Sequence, residues 1–346
     1  MTPPHMNVVE LDEGERSAAT SLVAELAGRH GGVEDPAFQD SAETYAQELP
    51  RTLRARLNRF RTHESACICL VRNYPVDDAT LGPTPRHWRE RPSTPATVAS
   101  DIFFFLCASL LGPPIAWSTK QGGHIMHTIA PIPGHETEQL ASGSEASLTW
   151  HTEDAFHPLR ADYLGLMCLR NPDRIETTFA CVHDVDPEVR GNPVLFEPRF
   201  RIVPDGSHLT GTPEAPNVEI PAELRERARQ QIARMLHEPE PIPLLFGEQA
   251  SPYMRLDQHY TSTADCDRDA ADALEALMAS VDAGLKGFPL APGDLCFIDN
   301  YKVVHGRSAF RARYDGTDRW LRRLNITRDL RKSRELRLAP GSRLVV

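Results

Sequence analysis

No stretch of the chain is both long and apolar enough to cross a bilayer: the most apolar segment, Ile102 to Leu111, is short and interrupted, where a spanning helix needs about 20 residues. Met1 to Leu11 lacks a basic segment followed by an apolar core, so no secretory signal is read there and a cytoplasmic location, with no membrane partner, is expected. Positive charge is in deficit. Lysine and arginine number 38 against 48 aspartates and glutamates, a formal charge of -10, which excludes a nucleic acid groove because phosphate binding needs a dominant positive field. Cysteine is sparse and unpatterned: Cys67, Cys69, Cys107, Cys168, Cys181, Cys266 and Cys296 make an odd number without CxxC spacing. Most lie in apolar runs, so all are expected to be reduced packing residues in a reducing compartment. Internal repeats and low-complexity tracts are absent too.

With 40% hydrophobic and 25% charged residues over 346 positions, the chain can bury one sizeable core. A single decorated domain over 1–346 is expected, with 1–120 a mainly helical flank and 121–330 the core. Ala18, Leu22, Val23 and Leu26 keep helical spacing, and Tyr45, Leu49, Leu53, Leu57 and Phe60 suggest a helical hairpin broken at Pro50. Five prolines from Pro75 to Pro95 mark a surface loop, and Val98 to Leu111 forms an apolar helix stopped by Gly112, Pro113 and Pro114.

From about Gly123 the pattern changes to short strands: His124 to Ala130, Ser147 to His151, Tyr163 to Leu169, Thr177 to Val185, Pro243 to Phe246, Tyr253 to Asp257, Asp294 to Asp299 and Trp320 to Thr327. Short strands joined by turns predict an α+β protein with a jelly-roll core and flanking helices. Helical inserts are expected near 221–237 and 267–286. Pro204 to Pro221, rich in Pro, Gly, Asp and Ser, reads as a mobile lid loop.

His151, Thr152 and Glu153 form an HxE pair, and His305 lies far downstream. In extended chain, residues i and i+2 project to one face, so His151 and Glu153 can reach one ion while Thr152 points away. A jelly roll can bring His305 to them from a distant strand. Two imidazoles and one carboxylate on one face of an octahedral ion leave positions for a chelating cosubstrate and O2, which suits a non-haem Fe(II) oxygenase rather than a closed structural site. HxE also arises by chance, and a lone histidine is commonly structural. The polar and aromatic run Trp150 to His157, and the turn and apolar strand ahead of Val304, His305 and Gly306, favour a site. Arg319, at the next expected strand, can hold a carboxylate in a fork of hydrogen bonds or form a solvent salt bridge.

The runs WHTEDAFHP, GLMCLRNP, FIDNYKVVHGR and FRARYDGTDRWLRRLNITRDLR resemble the clavaminate synthase-like branch of the Fe(II)/2-oxoglutarate dioxygenases. Within it, the chain is similar to the free amino acid hydroxylases of the viomycin-pathway arginine β-hydroxylase type, from about residue 15 to 330. The resemblance implies a double-stranded β-helix core, iron held by His151, Glu153 and His305, and 2-oxoglutarate and O2 as cosubstrates. It implies that Arg319 binds the distal carboxylate of 2-oxoglutarate, helped by Thr178. Arg323 would pair with the substrate α-carboxylate, while Gln121 and Asp205 would receive its α-ammonium. Glu153 departs from the aspartate usual in the wider superfamily but matches this branch. On its residues alone, Asp205 could equally be a turn residue beside Pro204 and Gly206.

In the arginine hydroxylases of this branch, two aspartates at DxD spacing grip the guanidinium; the matching positions here are Asp257 and His259. A guanidinium only donates hydrogen bonds, whereas a ureido group both donates and accepts, which suits an aspartate beside a histidine. L-Citrulline is therefore favoured over L-arginine, with lysine, ornithine, asparagine or a carrier-bound amino acid as alternatives. Arg255, on the same strand face, could instead neutralise Asp257. The expected reaction is hydroxylation at C3 or C4 in natural-product biosynthesis, such as that of antibiotics. A non-catalytic jelly roll that binds a small molecule is the rival from another class.

Overall fold

Runs such as Cys67 to Val71 and Leu295 to Ile298 are apolar at every position, and the structure gives the reason. In the computed structural model, which describes residues 5–209, 219–263 and 267–346, they are central strands buried on both faces. Successive side chains point to opposite sides of a strand. Cys69, Val71, Met167, Leu169, Leu295 and Phe297 pack into a core shared with the helices, while Ile68, Leu70, Leu166, Cys168, Cys296 and Ile298 pack into a second core shared with the other sheet.

The large sheet has eight strands. Its order is Met6–Glu10, Ile68–Arg72, Leu295–Asp299, Tyr163–Arg170, Trp320–Ile326, Pro114–Trp117 and Leu344–Val345, with His127–Ile129 also paired to Trp320–Ile326. The smaller sheet runs Lys286–Pro289, Glu176–Cys181, Val303–Arg307 and Leu148–His151. Leu295–Asp299 of the large sheet turns at Asn300 into Val303–Arg307 of the small one, so one short turn ties the two layers together beside the HxE run.

Helices Glu13–Arg29, Pro36–Tyr45, Arg51–His63 and Pro95–Ser109 supply the outer core. The Pro95–Ser109 helix starts with a capping box between Thr94 and Thr97 and with proline in its first turn, both strong start signals. It is buried continuously from Ile102 to Ser109 because it lies between the other helices and the large sheet. The expected inserts are the helices Ala222–His237 and Arg268–Gly284.

Several expectations need correction. The strand expected over Tyr253 to Asp257 is the hairpin Leu245–Glu248 with Ser251–Met254, and Asp257 to Tyr260 then forms a bridge and turn. His305 does lie on a strand, as a jelly roll requires, but the bounds of that strand, Val303–Arg307, were not assigned because glycine and histidine interrupt a very short apolar run. Lys286–Pro289 was concealed: it holds glycine and proline and forms an edge, where proline is tolerated.

Cysteine also departs from expectation. Cys67 and Cys181 form a disulfide between the start of one sheet's strand and the end of the other's, a pairing 114 residues apart that no local spacing reveals. It removes the cysteine-based argument for a reducing compartment. Cys69, Cys107, Cys168 and Cys296 are the buried thiols expected, and burial pushes Cys69 and Cys168 up to about 12. Cys266 and residues 210–218 of the expected lid lie outside the described residues. Before that gap, Asp205 leads into a short helix, Gly206–Leu209. Among the described residues no helix is long and apolar enough to cross a membrane.

Gly293 precedes the central strand with a φ of +87°, and a Cβ there would lie 1.9 Å from the Tyr74 carbonyl oxygen. Gly293→Ala should therefore destabilise the fold by about 2–4 kcal/mol in denaturant unfolding. Gly31→Ala, with open space around the added carbon, should stay within about 0.5 kcal/mol of the parent.

Candidate active site

The strand carrying His151 ends at that residue, and its register partner on the neighbouring strand is His305. The two rings lie 4.6 Å apart between centroids. Glu153 reaches them from the turn that follows the strand, so the triad depends on that turn rather than on strand alternation alone. Glu153 Oε2 is 3.7 Å from His151 Nε2 and 3.7 Å from His305 Nε2. Atoms that each lie about 2.1 Å from one ion are at most about 4 Å apart, so these separations fit a shared ion.

His151 Nδ1 donates to the Thr149 carbonyl at 2.9 Å, which leaves Nε2 facing inward and available to a metal. Burial opposes charge on His151, but the hydrogen bond and charge of Glu153 outweigh it and push its pKa up to about 9. Burial, reinforced by His151, pushes His305 down to about 3. The pair thus holds one proton where a cation would replace it, and a donor set of two nitrogens and one carboxylate oxygen suits Fe(II).

The other oxygen of Glu153 has different partners. Oε1 receives Lys120 Nζ at 3.1 Å and Arg323 Nη1 at 3.1 Å. Burial works against its ionised form, but Arg323 and Lys120 overcome that and hold the carboxyl well below its usual range. Its backbone is clamped as well: Glu153 N donates to Asn300 Oδ1 at 2.8 Å, and Asn300 Nδ2 donates to the carbonyls of Glu153 and Ala161. Sequence reasoning missed both Lys120 and Asn300. Only the second left a trace, as a polar residue ending an apolar strand just before His305.

Of the residues expected in the site, all but Thr178 line one cavity of about 1060 Å³, ample for a small dicarboxylate together with an amino acid. The residue facing Arg319 is Thr177, whose Oγ1 accepts from Nη2 at 3.4 Å. Thr178 points to the other face of its strand, beside Gly306. Arg319 is buried with its Nε unpartnered, and burial lowers its pKa to about 10. Among the described residues no carboxylate pairs with it, which leaves a buried cation in want of an anion.

Arg323 Nη2 donates to His127 Nδ1 at 2.9 Å. Gln121 has both ends of its amide engaged by the Thr128 backbone, so one lone pair of its oxygen and one amide hydrogen remain for a ligand. Asp257 Oδ1 accepts from the backbone of His259 and Tyr260, which sets His259 in a turn rather than on a strand face. Burial raises the Asp257 carboxyl, His151 opposing. Arg255 does not neutralise it: the guanidinium donates to the carbonyls of Ala155 and Phe156.

Residues 243–325 match the family described as Taurine catabolism dioxygenase TauD, TfdA family. The chain is 48% identical to an enduracididine beta-hydroxylase of Streptomyces hygroscopicus, over 98% of this chain and 100% of the relative. The chain belongs to the TauD/TfdA family. An L-ornithine/L-arginine 3-hydroxylase of Catenulispora acidiphila is 42% identical over the same shares. Among solved structures, the non-heme iron oxygenase OrfP in complex with Fe, succinate and (3S)-hydroxy-L-Arg matches with a TM-score of 0.88 and 41% identity, over 98% of this chain and 99% of that one. OrfP has also been solved with Fe and alpha-ketoglutaric acid, L-homoarginine or L-canavanine. The resemblance carried by the motifs therefore holds, and this member of the family is a non-haem iron dioxygenase of the amino acid hydroxylase type.

Asn300→Ala should weaken equilibrium Fe(II) binding by about 10- to 100-fold, the usual cost of losing a group that orients a ligand. His151→Ala should abolish stoichiometric binding. Unchanged affinity in Asn300→Ala would show that the clamp does not position Glu153.

Proposed function

We propose that the protein hydroxylates C3 or C4 of a free L-amino acid with a ureido or guanidino side chain, using Fe(II), 2-oxoglutarate and O2. The observation that carries this reading is the convergence, in one cavity, of the His151, Glu153 and His305 triad with two guanidinium groups, Arg319 and Arg323. Bound Fe(II) supplies C–H oxidation driven by conversion of 2-oxoglutarate and O2 to succinate and CO2, with the second oxygen atom entering the product.

The protein's own residues bind and orient. Arg319, with Thr177 rather than Thr178, holds the distal carboxylate of 2-oxoglutarate in a buried pocket where a charge-assisted pair is strong. Arg323 takes the amino acid α-carboxylate, and Gln121 and Asp205 take its α-ammonium. Asp257 and His259 meet the far end of the side chain. One carboxylate beside one imidazole offers an acceptor and a donor, so L-citrulline is the first substrate to test and L-arginine the second. The arginine-type ligands and substrates of the relatives support the guanidino half of this class, and the enduracididine hydroxylase supports a role in natural-product biosynthesis.

The test is a panel of free L-amino acids with Fe(II), 2-oxoglutarate and air, followed by mass and NMR analysis. Citrulline or arginine should gain one oxygen, and leaving out Fe(II), 2-oxoglutarate or O2 should each stop it. Product formed without 2-oxoglutarate contradicts the proposal. Arg319→Leu should raise KM for 2-oxoglutarate about 100-fold while changing KM for the amino acid little, because it removes one buried fork of hydrogen bonds worth about 1.5–3 kcal/mol each.

A further inference from the structure

The densest polar cluster near the pocket centres on Asp154, the residue after the metal-ligand glutamate, whose side chain is wholly buried. It adopts a left-handed φ of 52°, a conformation that aspartate tolerates better than most residues. Oδ1 receives Lys120 Nζ at 2.5 Å and His208 Nε2 at 3.0 Å. Oδ2 receives Trp117 Nε1 at 2.6 Å and Asn325 Nδ2 at 3.5 Å. Asp154, Asp205 and His208 offer ligand atoms within 4.8 Å of one another, but the Lys120 ammonium already supplies the cation there, so the cluster is not a second ion site.

His208 belongs to the short helix Gly206–Leu209 that follows Asp205, yet its side chain is almost fully buried. Its Nδ1 contacts Thr119 Oγ1 at 2.8 Å. The neutral tautomer with hydrogen on Nε2 satisfies both contacts, donating to Asp154 and accepting from the threonine hydroxyl. Phe156 and Trp117 wall the ring edge-on, 4.8 and 5.9 Å away between centroids. Lys120, bonded to the same Asp154 oxygen, also reaches Glu153 Oε1 at 3.1 Å. An unbroken chain of polar contacts thus runs from the segment bearing Asp205, through His208, Asp154 and Lys120, to the metal-ligand carboxylate.

We propose that His208 is a positioning residue: by donating to Asp154 it fixes the segment that carries Asp205 against the pocket, in register with the Glu153 end of the site. The inference rests on the amino acid hydroxylase reading for its kinetic consequence, though not for its structural one. A glutamine at position 208 places a donor near the Nε2 position, whereas an asparagine can replace only Nδ1.

The test compares His208→Asn and His208→Gln in the full-length protein. Without ligands, hydrogen exchange of the backbone over residues 205–209 should be faster in His208→Asn and close to the parent in His208→Gln. With Fe(II), 2-oxoglutarate and whichever of L-citrulline and L-arginine the parent turns over, KM for that amino acid should rise about tenfold or more in His208→Asn, as expected for loss of one charge-assisted contact. KM for 2-oxoglutarate should be unchanged, and glutamine should restore most of the amino acid affinity. Equal behaviour of the two variants, whether both like the parent or both impaired, overturns the proposal. Should no amino acid be turned over by the parent, the hydroxylase reading fails, while the exchange comparison still decides whether His208 docks the segment through Asp154.

Discussion

One carboxylate serves two masters in this protein. Glu153 presents Oε2 to two imidazoles and Oε1 to Lys120 and Arg323, all in a buried setting where an unpaired charge would be costly. The two cations keep it ionised, and Asn300 keeps its backbone in place. Without that division the glutamate would turn wholly toward the cations or take up a proton, and the histidines would lack their third partner.

The fold follows from the need to hold that arrangement. His151 and His305 are register partners on adjacent strands of the small sheet, and the turn at Asn300 connects this sheet to the large one. Double-sided burial of the central strands makes the scaffold stiff, with one core toward the helices and another between the sheets. Arg319 immediately precedes the long strand Trp320–Ile326 and Arg323 lies within it, so one element delivers both guanidinium groups to the cavity, which in the proposed function take one carboxylate ligand each.

Much of this was legible in the sequence, for identifiable reasons. HxE is local, so His151 and Glu153 announce themselves, and long motif runs carry His305, Arg319 and Arg323. What escaped depends on tertiary contact. Lys120 looks like a surface lysine until the fold buries it against two carboxylates. Thr177 and Thr178 are adjacent, and a shift of one residue in an expected strand exchanges its faces. His259 was placed by its match to a strand-borne DxD pair, but the strand ends at Met254 and Asp257 caps a turn. The Cys67 and Cys181 pairing and the role of His208 leave no trace in local pattern, because each joins segments remote in the chain.

The most direct measurement is anomalous diffraction at the iron edge from crystals loaded with Fe(II) under nitrogen. The account predicts one strong peak at coordination distance from His151 Nε2, Glu153 Oε2 and His305 Nε2. A peak among Asp154, Asp205 and His208 instead, or none within reach of all three expected ligands, would contradict it.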